Sequence, residues 1–259
     1  MVAGVGVGDR RGPAARRDGR YGPRRPRAGR WPGQEGWVPT TREPTSGSPT
    51  GAAGGSVRTL RQHERAVRGC EACALHAGRL NPVTGDGPDH ARLMIVGVVP
   101  RRHEDLQGVA LAGGARNVLH EALDVAELDR QAVRVTSVVR CRPPEDRAPT
   151  PEEIRTCSGH LDTELELVAP EVVVALGEVA TGVLLGRSVP LERVAGYRLD
   201  VRGVTLIPTH HPVDVVRGVP EAAKAIRRDL LVARAVLDGR MGTGAQARSE
   251  LARRLATQH

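Results

Sequence analysis

Residues 136–157, TSVVRCRPPEDRAPTPEEIRTC, carry two of the four cysteines of this 259-residue chain and pass from a strand to a helix between them. The run VRVTSVV (133–139) is short, apolar and β-branched, the pattern of a buried strand. Pro143 and Pro144 end it in a turn. Thr150, Pro151 and Glu153 then compose a helix start: a hydroxyl cap, a proline at the first helical position, and a glutamate placed to close a capping box. Cys141 therefore lies on the loop leaving a strand and Cys157 on the helix that follows. The other two cysteines, Cys70 and Cys73, form a CxxC turn far upstream.

A zinc ribbon normally presents two short CxxC knuckles, whereas fifteen residues separate Cys141 from Cys157. Thiolates from one knuckle, one loop and one helix can surround a cubane held by four cysteines. The spacing predicts a [4Fe–4S] cluster on Cys70, Cys73, Cys141 and Cys157, with zinc or four unrelated buried thiols as the alternatives.

The strand–helix alternation continues on both sides of this stretch. ARLMIVGVV (91–99), EVVVALG (171–177) and VTLIPTHHP (204–212) read as three further strands with their exit loops. Helices are expected at 57–68, leading into the CxxC, at 115–126, from Thr150 to near Pro170, from the third strand through Leu185, and at 221–238. This order predicts an α/β fold, a three-layer α/β/α arrangement around a four-stranded, mainly parallel central sheet. Residues 57–239 make the domain. Residues 1–56, rich in Gly, Pro, Arg and Ser without hydrophobic periodicity, are expected to be a disordered tail. Within it RRPRAGRWPG (24–33) reads either as a basic arm for nucleic acid or as a solvated tail. After Gly239 the chain turns polar, and a fraying tail is expected at 240–259.

The chain has no phenylalanine and only 2% aromatic residues, so its core must come from Val, Leu, Ala and Ile. Its formal charge of +8 rests on arginine, with Lys224 the only lysine. That excess suits phosphate contact, or reflects a compositional bias. Four cysteines behind an N-terminus with no apolar core argue against a secreted disulfide framework and for a soluble, intracellular protein. No stretch reaches transmembrane length.

In parallel sheets ligands bind outside the carboxyl ends of the strands. The loops to search are therefore GVVPRRHEDLQG (97–108), SVVRCRPP (137–144), LGEVA (176–180) and THHP (209–212). His211, at the end of the fourth strand, is the leading candidate for chemistry, with His210 its neighbour. Arg101, Arg102, Arg140, Arg142 and Arg217 are candidates for phosphate contact. Gly113, Gly114 and Gly218 are candidates for close approach of DNA.

Taken in order, CEAC (70–73), ARLMIVGVVP with HED (103–105) and GVALAGG (108–114), TSVVRCRPPEDRAPTPEEIRTC, VVVALG (172–177) and THHP resemble the iron–sulfur uracil-DNA glycosylases of family 4. The resemblance runs from about Val57 to Asp238. It implies hydrolysis of the N-glycosidic bond of uracil, or another deaminated base, in single- or double-stranded DNA during base excision repair. It also implies a structural [4Fe–4S] cluster and a cytoplasmic, nucleoid-associated monomer. His211 would be catalytic, hydrogen-bonding the departing base, while Gly97, Val98, Leu111 and Ser137 would shape the pocket.

Several positions depart from the family pattern. GVVPR replaces GEAPG, so Val98 stands where the family places a water-positioning glutamate; the related family 5 carries an apolar residue there. Leu111 replaces a base-stacking phenylalanine, and Val213 replaces the serine after His-Pro. Ser137 replaces an asparagine that reads the uracil edge, which is expected to weaken discrimination against cytosine. Glu104 and Asp105 are candidates to supply the missing carboxylate. The alternative reading is a DNA-binding protein of the same fold that has lost catalysis or changed specificity.

Overall fold

The structure, a computed structural model, describes residues 59–247. The N-terminal arm, the first two residues of the expected first helix, and residues 248–259 lie outside the described residues. Among the described residues five strands form one sheet: β1 (Leu93–Gly97), β2 (Val133–Ser137), β3 (Val172–Leu176), β4 (Leu199–Val201) and β5 (Val204–Thr209), in the order β2-β1-β3-β5-β4. All neighbours run parallel except β4, which lies antiparallel on β5. The expected sheet of four strands is thus corrected to five. The extra one is a three-residue edge strand, joined to β5 by Arg202 and Gly203, which both have positive φ. That pair matches the primed two-residue hairpin geometry.

Helices accompany the sheet: α1 (Leu60–Arg68), α2 (Arg102–Gln107), α3 (Gly113–Val125), α4 (Pro151–Val168), α5 (Gly177–Leu185), α6 (Pro212–Val216) and α7 (Ala222–Leu237). Alternate strand residues face opposite sides. Leu93, Ile95, Val172, Val174 and Ile207 pack with Leu119, Leu123, Ile226 and Leu230 of α3 and α7. Met94, Val96, Val173, Ala175 and Leu206 pack on the other side with Leu60, Leu161, Val168 and Ala180 of α1, α4 and α5. The three-layer arrangement follows, and aliphatic side chains fill both cores.

Helix α4 begins as its sequence dictates: Thr150 Oγ1 accepts from Glu153 N–H at 3.2 Å, and Glu153 Oε2 accepts from Thr150 N–H at 2.7 Å. Its buried face carries Cys157, Leu161 and Glu164. Glu164 is fully buried between Arg134 Nε (2.5 Å), Arg140 Nη2 (2.6 Å) and Thr136 Oγ1 (2.7 Å). Burial alone would raise its carboxyl; the Arg140 and Arg134 charges outweigh burial and hold it below the usual carboxylate range. Gly85, at φ +91, lets the preceding loop cross Glu164, since a Cβ there would come within 2.3 Å of Oε1. Beyond α7 the chain folds back on the sheet, where Gly244 N–H donates to Thr205 Oγ1 at 2.9 Å.

Candidate active site

The carboxyl ends of β1, β2, β3 and β5 open into one cleft of about 340 Å³, within the usual range for small-molecule sites (~300–1,000 Å³). Gly97, Val98, Leu111, Ser137 and His211, the residues that the resemblance assigns to catalysis and the pocket, all line it. Strand register explains the assembly, because Gly97 pairs with Ser137 across β1 and β2. Leu176 pairs with Thr209 across β3 and β5, bringing the LGEVA and THHP loops together.

His211 has two roles that its two ring nitrogens keep separate. It caps α6: Nδ1 accepts from Val213 N–H at 3.1 Å, while Asp214 Oδ2 accepts from His211 N–H at 3.2 Å. Pro212 occupies the first helical position, where its missing N–H costs nothing. Burial depresses the ring to a pKa of about 4, the nearby Asp214 carboxylate only partly opposing this. The imidazole is therefore neutral at physiological pH, and with Nδ1 accepting, its proton sits on Nε2. Nε2 lies 3.9 Å from the point a Cβ on Gly97 would occupy, so it faces the end of β1. Gly177, at φ +83, packs against the base of the His211 side chain, its Cβ position 3.6 Å from His211 Cβ.

Ser137 is buried, and its Oγ donates to Val139 O at 2.8 Å. Leu111 is also buried and holds φ at 56°, an unusual state for a branched apolar residue. Such outliers gather where neighbours over-determine the backbone, and here Arg116 Nε donates to Leu111 O at 2.9 Å.

The two carboxylates proposed to replace the missing glutamate serve the scaffold. Glu104 lines the cleft, but Oε2 accepts from Arg101 N–H (3.1 Å) and Oε1 from Ala112 N–H (2.8 Å), tying α2 to the start of α3. Asp105 is buried and accepts from Leu80 N–H and Asn81 N–H. Asp214 and Glu178 are the other acidic residues on the cleft wall. Neither was singled out; Glu178 follows the glycine of LGEVA, and that placement is the signal that points to it.

Among the arginines, Arg101 and Arg217 line the cleft, joined by Arg147, whose guanidinium pairs with Glu153 at 2.6 and 2.8 Å. Arg142 pairs with Asp146 at 2.6 Å, and Arg102 is exposed. Arg140 is corrected: it is 1% exposed and bound to Glu164, so it cannot meet a phosphate. Gly114 admits α6 rather than a ligand, a Cβ there meeting Val216 Cγ2 at 3.3 Å. Gly113 (φ +56) and Gly218 (φ +79) stand in open space. His210 Nδ1 lies 3.9 Å from Asp214 Oδ2.

The four cysteines converge on a second, smaller cavity with His76, Arg79, Arg140 and His160. Cys70 follows α1, Cys73 precedes a 3₁₀ turn (Ala74–Ala77), Cys141 leaves β2, and Cys157 projects from α4. Arg79 Nη1 lies 3.2 Å from Cys141 Sγ, and Arg140 N–H donates to Cys157 Sγ at 3.3 Å. Burial pushes the Cys157 thiol up to about 11 and raises Cys141 as well, these donors opposing it. Among the described residues no group of three or more His, Cys, Asp or Glu is arranged to hold a single metal ion.

The Uracil DNA glycosylase superfamily model matches residues 84–231. The Type-4 uracil-DNA glycosylase of Thermotoga maritima is 39% identical over 153 residues, covering 58% of this chain and 80% of the relative. That of Archaeoglobus fulgidus is 36% identical over 160 residues, covering 59% and 80%. A Type-5 uracil-DNA glycosylase from Thermus thermophilus is 38% identical over 120 residues, covering 40% and 54%. The matched span runs from just before β1 into α7, taking in Gly97, Val98, Leu111, Ser137 and His211, and on that footing the chain belongs to the uracil DNA glycosylase superfamily.

Proposed function

We propose that the protein is a uracil-DNA glycosylase of DNA repair that hydrolyses the N-glycosidic bond of uracil in DNA. The observation that carries this is the neutral His211, Nδ1 fixed by a backbone N–H and Nε2–H turned into a cleft at the strand ends. To be cut, the base must leave the stack and enter the cleft. As the C1′–N1 bond breaks, the sugar becomes oxocarbenium-like and negative charge gathers on the departing base, chiefly on its ring carbonyl oxygens. A donor held in a dry site stabilises that charge with little reorganisation, and Nε2–H is such a donor. Water adds to C1′ and loses a proton, and the base leaves to be protonated. Gly97, Val98, Leu111 and Ser137 form the walls that hold the base.

Val98 brings no carboxylate to the water, and both oxygens of Glu104 are engaged. Glu178, on the first turn of α5, is the cleft carboxylate we assign to positioning the water. Arg101 and Arg217 at the cleft are suited to the flanking phosphates.

The cysteine cavity fits a [4Fe–4S] cluster. Four sulfurs from three separate segments and two N–H donors aimed at sulfur match a group bearing negative charge on its thiolates. A zinc ribbon presents two short knuckles, whereas fifteen residues separate Cys141 from Cys157, which favours the cluster. When bound, the cluster cross-links α1, the β2 exit loop and α4. It is structural in this reading. Among the described residues no helix is long and apolar enough to cross a membrane. In this reading the protein acts on DNA as a monomer in the nucleoid.

The test is incubation of the anaerobically purified protein with oligonucleotides carrying one uracil, cytosine or thymine, followed by alkaline cleavage of abasic sites. Strand breaks at uracil alone are expected. Tight DNA binding with no cleavage would favour the non-catalytic alternative and overturn the proposal.

A further inference from the structure

Arg79 is a cation of the cysteine cavity that meets no carboxylate. It lines that cavity and is partly buried. Nη1 donates to Cys70 O at 2.8 Å and to Cys141 Sγ at 3.2 Å, and Nη2 donates to Arg68 O at 2.9 Å. Two of these acceptors are neutral carbonyls. Among the described residues no carboxylate pairs with Arg79, whereas Arg140, which lines the same cavity, has its charge met by Glu164. A charge drawn partly out of water without a counter-ion is costly, and the remaining acceptor is sulfur. Four thiolates around an iron–sulfur core carry net negative charge and supply that counter-ion.

The local fold delivers Arg79 to this place. Helix α1 ends at Arg68, whose carbonyl is among those a helix leaves without an intrahelical partner. Gly78 closes the 3₁₀ turn that follows Cys73, its N–H donating to Leu75 O at 3.4 Å, and the chain turns back so that Arg79 meets the end of α1. A planar guanidinium then reaches the helix end, the CxxC knuckle and the β2 exit loop together. A lysine ammonium would bring the charge without the fork.

We propose that Arg79 is a positioning residue of the cluster: its fork fixes the CxxC knuckle against Cys141, and its charge stabilises negative charge on the sulfurs. An added electron places more negative charge beside the guanidinium, so Arg79 raises the reduction potential of the cluster. The fork also slows opening of the knuckle and loss of iron. The potential is a gauge of the field at sulfur and implies no electron transfer during base excision. This inference rests on the cluster reading given under the proposed function.

The test compares anaerobically purified wild type, Arg79→Gln, Arg79→Lys and Arg68→Gln. Arg68 is exposed, and its substitution removes the same charge from the same region without removing a donor to sulfur. Protein-film voltammetry gives the reduction potential, and an iron chelator gives the rate of iron release. Arg79→Gln should show a lower potential and release iron about 10- to 100-fold faster, the range for a hydrogen bond to a charged group. Arg79→Lys should hold the wild-type potential yet release iron faster than wild type, and Arg68→Gln should leave both readouts unchanged. A wild-type potential in Arg79→Gln, a wild-type release rate in Arg79→Lys, or an equal shift of potential in Arg68→Gln would each overturn the inference. Should Arg79→Gln take up no iron, Arg79→Lys decides: faster release at the wild-type potential upholds the inference, and a lowered potential or a wild-type rate overturns it. A colourless, zinc-loaded wild type would instead overturn the cluster reading itself.

Discussion

Glu164→Gln isolates the buried charge cluster that joins the floor of the cleft to the cysteine cavity. Glu164 is fully buried, receives Arg134 Nε at 2.5 Å and Arg140 Nη2 at 2.6 Å, and accepts from Thr136 Oγ1. Glutamine keeps the shape but leaves the buried Arg140 guanidinium without a counter-charge and Arg134 with only Glu64, 3.7 Å away. Removing one partner of a buried pair costs about 3–5 kcal/mol. For a domain of this size each kcal/mol is worth roughly 2–4 °C of melting temperature, so a drop of about 6–20 °C is expected. Glu171→Gln is the internal control: its contact with Arg92 is equally short at 2.5 Å, yet both side chains are more than half exposed. Water screens that pair, and the change should cost less than about 1 kcal/mol. Thermal melts followed by far-ultraviolet circular dichroism compare the two directly. Equal, small shifts would refute the claim that burial, rather than contact distance, makes Glu164 matter.

Three further outcomes follow from the same structure. His63, His160 and His211 each have a pKa depressed by burial to about 4. An unfolded histidine near 6.5 binds protons the native ring refuses, so stability should be level above pH 6.5 and fall as pH drops toward 4, by at most about 3 kcal/mol per ring; urea melts across pH 4–8 check this, and a stability maximum near pH 5 would contradict it. Gly177→Ala forces a side chain into φ +83 against His211 Cβ, costing about 1–2 kcal/mol, and excision should suffer more than the melting temperature, as a rate and a melt measured together would show. Cys157→Ser should abolish broad absorbance near 400 nm (approximately the region of iron–sulfur charge transfer) and lower the melting temperature; zinc at one equivalent in a colourless wild type would contradict the cluster.

The sequence made the scaffold legible wherever the signal was local. Four apolar runs became four strands, and Thr150, Pro151 and Glu153 became the cap of α4. The cleft was also legible, because strand ends in a parallel sheet converge and Gly97, Ser137 and His211 each stand at one. Pairings between distant segments were not. Arg140 reads as one of a basic run flanking Cys141, and only the fold shows that Glu164, on another element, draws it inside. Glu104 reads as a candidate for the missing carboxylate, whereas Arg101 N–H and Ala112 N–H occupy its oxygens. β4 is too short for alternation to reveal. The direction of the Ser137 hydroxyl depends on a carbonyl two residues away, which no residue pattern encodes.

The most direct measurement is single-turnover excision of uracil from a DNA oligonucleotide at neutral pH by wild type and His211→Ala, with DNA affinity measured in parallel. Loss of one preorganised donor to the departing base should slow excision about 10²–10³-fold while DNA affinity stays unchanged. A wild type that binds the oligonucleotide and leaves every uracil in place, or a His211→Ala protein that excises uracil at the wild-type rate, would contradict the account.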